Sequence, residues 1–78
     1  MLNQIHRIAE AGANAAAQCL YKRFRVPSDK LLEVRRVQEG EPPEVVVCEV
    51  NDDDELSPGE FNLSLRFLLK YGKEVRRV

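Results

Sequence analysis

A chain of 78 residues with 44% apolar and 32% charged side chains has room for one small domain, 1–78, and is too apolar to remain disordered. Twelve Lys and Arg nearly balance thirteen Asp and Glu, a net charge of −1, so no global field draws it to nucleic acid and any such contact must come from a local patch. A chain this short buries only around 60% of its unfolded surface, which makes self-association an expected source of stability.

Residues 2–24 read as a long helix. Ile5, Ile8, Gly12, Ala15 and Cys19 recur at alternating three- and four-residue steps. The small residues between Ala9 and Ala17 let another backbone approach closely. That backbone is either a neighbouring subunit, with Ile5, Ile8, Gly12, Ala16 and Cys19 as the seam, or this chain's own C-terminal helix. His6 has no Asp, Glu or Cys placed to make it a base or a ligand and reads as a solvated side chain. Lys22, Arg23 and Arg25, interleaved with Tyr21 and Phe24, suit a helix end and also a phosphate-contacting patch.

Val26-Pro27 ends that helix, because the residue before proline avoids the α region. Residues 29–39 place Leu31, Val34 and Val37 at helical spacing, with Ser28 or Asp29 as a cap and Gly40 as a stop. A strand forming a hairpin with the next run is the alternative, and the helix is the reading adopted. Glu41-Pro42-Pro43 breaks the chain. Residues 44–50, centred on Val45-Val46-Val47-Cys48, form the clearest strand, and its candidate mates are the C-terminal run at 74–78, the 31–37 segment, or the same strand of a neighbouring subunit. The pentapeptide Glu-Val-Arg-Arg-Val occurs at 33–37 and again at 74–78. It supplies the pairs Arg35-Arg36 and Arg76-Arg77, which join Lys22, Arg23 and Arg25 as candidate phosphate contacts.

The run from Asn51 to Glu55 is contiguously acidic and lacks the glycine and alternation of a calcium loop, so it reads as a solvated loop. After it, Ser57 and Glu60 match the capping-box pattern, Pro58 suits the first helical position and Gly72 the stop. A helix over 57–71 puts Phe61, Leu65, Leu68 and Leu69 on one side, with Leu63 alone misplaced. Strand alternation through Phe61, Leu63, Leu65 and Phe67 is the competing reading. The predicted fold is therefore α+β and mostly helical, with helices at 2–24, 29–39 and 57–71.

Ser57-Pro58, the apolar Phe61, Asn62, Phe67-Leu68 and Gly72 together resemble a short helical motif in the small terminase subunits of some tailed phages. The resemblance covers about a fifth of the chain. It departs from the family at Leu69 and Tyr71, and in the Pro42–Glu55 stretch that precedes it. It implies a non-enzymatic DNA-packaging accessory protein that forms a homo-oligomer, binds duplex DNA and regulates a large terminase subunit. The basic residues Lys22, Arg23, Arg25, Arg35, Arg36, Arg76 and Arg77 would then meet DNA phosphate.

No nucleophile–base pair, phosphate-binding glycine loop, metal-ligand spacing or cofactor motif is present, so no enzyme, cofactor, metal or small-molecule substrate is expected. Nor is a membrane contact: no stretch is long and apolar enough to span, no leader-type segment opens the chain, and Cys19 and Cys48 read as buried, reduced thiols. A cytoplasmic location, the host's if the protein is viral, follows as an expectation. The alternative to the DNA role is a small regulatory or inhibitory module that binds another protein through an apolar or acidic face.

Overall fold

A computed structural model describes residues 12–76. Among these residues the chain forms α1 (Gly12–Gln18), β1 (Arg23–Val26), β2 (Lys30–Gln38), β3 (Glu44–Val50), β4 (Leu56–Ser64), α2 (Leu65–Tyr71) and β5 (Lys73–Val75). The mostly helical expectation is overturned. The strands make one antiparallel sheet in the order β4-β3-β2-β1-β5, and each described helix has seven residues.

β1 to β4 follow one another as hairpins, and α2 carries the chain back across the sheet so that β5 can pair with β1. Register puts Phe24, Val26, Leu32, Val34, Val45 and Val47 on one face. Ala16 and Cys19 from the α1 side and Leu65 and Leu68 from α2 close over that face and complete the core.

Each departure from the helical expectation has a local cause. In β2, Leu32 and Val34 alternate inward, and then Arg35 is an extra residue bulged out of the pairing with β3. The bulge turns the next inward residue, Val37, into a three-residue step, which imitates helical spacing. Ser28 and Asp29 cap no helix. Both take left-handed φ, 71° and 59°, in the β1–β2 hairpin loop, a conformation that short polar side chains tolerate. The expected helix over 2–24 is α1 only where described. The chain turns at Cys19–Lys22, and Arg23–Val26 is strand.

The expected helix over 57–71 is divided. Residues 57–64 belong to β4, with Ser57, Pro58 and Gly59 in an irregular stretch where pairing with β3 shifts register. The helix starts at Ser64, whose hydroxyl oxygen accepts the Phe67 N–H at 3.5 Å. The strand over 44–50 stands as expected, but its mates are β2 and β4; the 74–78 candidate is not one of them, since Lys73–Val75 forms β5 and pairs with β1.

Gly72 ends α2 in an extended conformation, φ −84° and ψ 145°, not the left-handed one. Its N–H donates to the Leu68 carbonyl at 2.8 Å, and a Cβ built on Gly72 would lie 2.6 Å from that same oxygen. Because the oxygen is backbone, it cannot swing aside. Gly72→Ala is expected to cost about 1–3 kcal/mol in urea denaturation. Gly59→Ala, which meets nothing within 4 Å, should be neutral or slightly stabilising.

Candidate interaction surface

The sheet face away from the helices carries the basic residues, and they arrive with acidic partners. Arg23 is 8% exposed and Glu33 3%. The Arg23 Nε donates to Glu33 Oε1 at 2.9 Å, and its Nη1 donates to Asp54. Glu33 also accepts from Arg35 Nη1, and the Arg35 guanidinium lies 5.4 Å from the centre of the Tyr21 ring. Burial pushes the Glu33 carboxyl up, but the hydrogen bonds and charges of Arg23 and Arg35 outweigh this and hold it below the ordinary glutamate value. The same hydrogen bond to Glu33 holds Arg23 more firmly protonated than an isolated arginine. Across the sheet, Arg36 on β2 reaches Glu60 on β4 at 2.8 Å. Those side chains pass over β3, whose Val46 and Cys48 are buried on this face, opposite the one that the described helices cover.

The acidic loop has a structural part in this arrangement. The Asn51 Oδ1 accepts the N–H groups of Asp53 and Glu55, both at 2.9 Å, and so holds the loop in a turn that aims Asp54 at Arg23. No cluster of His, Cys, Asp and Glu suited to a metal occurs among the described residues.

Of the residues singled out as phosphate contacts, Arg23, Arg25, Arg35 and Arg36 do share the open side of the sheet. Lys22 instead pairs with Glu74 at 3.7 Å and Arg25 with Asp29 at 3.8 Å. Arg76 has no acidic partner among the described residues, and Arg77 lies outside them. Of the proposed subunit seam, Ala16 and Cys19 are buried in the chain's own core, where burial raises the Cys19 thiol pKa. They serve internal packing, on the sheet at β2. Gly12 opens α1, while Ile5 and Ile8 lie outside the described residues.

Tyr21, Lys22, Arg23, Glu74, Val75 and Arg76 line a shallow depression of about 190 Å³ beside β5, smaller than the usual range for small-molecule sites. The larger unsatisfied feature is apolar. Leu56, Phe61, Phe67, Leu69 and Tyr71 are all exposed, and all belong to β4 and α2. Only Leu65 and Leu68 of α2 turn inward. The wide apolar arc therefore leaves Leu69 on one flank and, on the other, Phe67 and Tyr71, whose ring centres lie 5.1 Å apart with the planes tilted by 48°. The sequence marked this arc as apolar. The acidic partners of the arginines went unrecognised, because they come from distant strands and a loop.

No helix among the described residues is long and apolar enough to cross a membrane. The residues that carry the terminase resemblance are divided between β4 and α2, with Gly72 just past the end of α2. No family model, no curated protein and no solved structure matches this chain.

Proposed function

We propose that this chain is a non-enzymatic protein-interaction module that works through the β4–α2 side of the fold. The observation that carries the reading is that five large apolar side chains of these two elements, Leu56, Phe61, Phe67, Leu69 and Tyr71, remain exposed. Exposed apolar surface of this kind is what partner binding covers. The paired arginines support the same choice, since DNA phosphate would have to displace Glu33, Asp54 or Glu60 to reach them.

The terminase-like DNA role is retained as the second reading on one observation. Arg66, Lys70, Lys73 and Arg76 have no acidic partner among the described residues; the first two lie on α2, Lys73 on β5 and Arg76 just after it.

A photo-crosslinking residue placed at Phe67 in the native cell is expected to give a discrete protein adduct, and the same residue at Lys30 none. Equal labelling at both positions would remove the α2 surface as a binding face. Titration with duplex DNA at two salt concentrations is the companion measurement. Tight binding that weakens steeply with salt would favour the second reading.

A further inference from the structure

β4 is an edge strand: only β3 pairs with it among the described residues. Its two halves differ. The first contains Ser57, Pro58 and Gly59, where the register with β3 shifts, and proline and irregularity are the devices that keep edge strands from pairing. The second half, 60–64, runs in unbroken register opposite Cys48 to Glu44 and contains neither.

The direction of its backbone groups follows from one hydrogen bond. The Leu65 N–H donates to the Pro43 carbonyl at 3.1 Å, in step with Ser64 opposite Glu44. Antiparallel ladders alternate bonded with non-bonded pairs. Phe61 and Leu63 therefore bond to Val47 and Val45. Glu60, Asn62 and Ser64 turn their N–H groups outward to the open edge, as do the carbonyls of Glu60 and Asn62.

We propose that residues 60–64 pair with the same segment of a second copy of this chain, about a two-fold axis at Asn62, so that two five-stranded sheets become one. This rests on the reading of the β4–α2 side as the interaction face and names its partner. The segment is self-complementary in that register. Asn62 faces the partner copy's Asn62, with two backbone hydrogen bonds between them. Glu60 faces Ser64, whose N–H donates to the Glu60 carbonyl, and the arrangement repeats across the axis. No like charges meet, and Glu60, the only charge in the segment, already has Arg36 at 2.8 Å. On the helix-bearing face the half-exposed Phe61 comes opposite Leu63, an apolar cross-strand pair. A two-fold contact of this kind closes on itself and stops at a dimer.

Sedimentation velocity over a wide concentration range is expected to show a reversible species of twice the chain mass. Asn62→Pro should abolish it while leaving the fold intact, because that N–H makes no bond to β3 and proline is tolerated on the solvent side of an edge strand. Phe61→Lys, a gatekeeping charge on the same edge, should weaken the dimer about tenfold or more and keeps the test decisive if the proline variant misfolds. Asn62→Cys should form an interchain disulfide in air, since opposed Cα atoms of a bonded pair lie about 5.5 Å apart. Lys30→Cys should not.

A wild-type monomer throughout the range would overturn the proposal. So would a dimer that persists in Asn62→Pro and Phe61→Lys and forms no Asn62→Cys crosslink. If such a dimer crosslinked through Phe67, self-pairing of β4 would fail while the broader reading of the β4–α2 side stood. A monomer that gave Phe67 adducts only with a different protein would have the same meaning.

Discussion

Glu33→Gln is expected to destabilise the fold by about 3–5 kcal/mol, a large part of what a small domain has in total. The substitution leaves the Arg23 guanidinium in place at 8% exposure with its best-buried counter-charge removed. Asp54 remains beside it but is 76% exposed, so water weakens its hold, and Asp54→Asn alone should cost less than about 1 kcal/mol. If the cost comes from stranding a buried charge, removing both charges should relieve it. Arg23→Met with Glu33→Leu should restore most of the loss, whereas additive losses in the double variant would mean that the ion pair is itself a net source of stability.

The same carboxylate gives an acid signature. Its folded-state pKa is lowered, so its contribution is fully present above the ordinary glutamate range and fades as pH falls through the depressed value. Tm should decline on acidification below the ordinary glutamate range, and the Glu33→Gln variant should lose less over the same interval. Parallel curves would show that other carboxylates set the acid limit.

How far the sequence revealed these features depended on whether the deciding interaction was local. β3 was legible because four of its seven residues are valines, and burial on both faces favours such a run whatever it pairs with. β2 was not, because a single bulged Arg35 breaks the two-residue alternation on which strand recognition depends. At β4 the local signals favoured the wrong element. Ser57, Pro58 and Glu60 satisfy a helix start residue by residue, but pairing with β3 holds them extended, and the working cap is Ser64. The misfit of Leu63 in the helical projection and the alternation through Phe61, Leu63, Leu65 and Phe67 were the local signs of this. Of the basic residues named as phosphate contacts, Arg23, Arg25, Arg35 and Arg36 share one side of the sheet. Their neutralisation was out of reach, since Arg23 meets partners ten and thirty-one positions away.

The second large effect is expected at Leu68, which is fully buried where α2 crosses the sheet. Leu68→Ala should cost about 2–5 kcal/mol, the transfer of the lost side chain plus the cavity left behind. The loss should also be uneven in space. A seven-residue helix has almost no stability of its own, so α2 stays helical because Leu65 and Leu68 anchor it over the core. β5 in turn depends on α2, for it is three residues long and, among the described residues, pairs with β1 alone. Weakening the anchor should release α2 and β5 together. Hydrogen exchange would then speed up from Leu65 to Val75 and at the β1 amides facing β5, while β2 and β3 keep protection close to the global limit. Uniform acceleration across the sheet would show instead that the domain opens as one unit. Leu69→Ala, on the exposed flank of the same helix, should change stability by less than about 1 kcal/mol. It nevertheless removes part of the apolar surface assigned to partner binding. The neighbouring leucines therefore separate what holds α2 in place from what α2 presents to a partner.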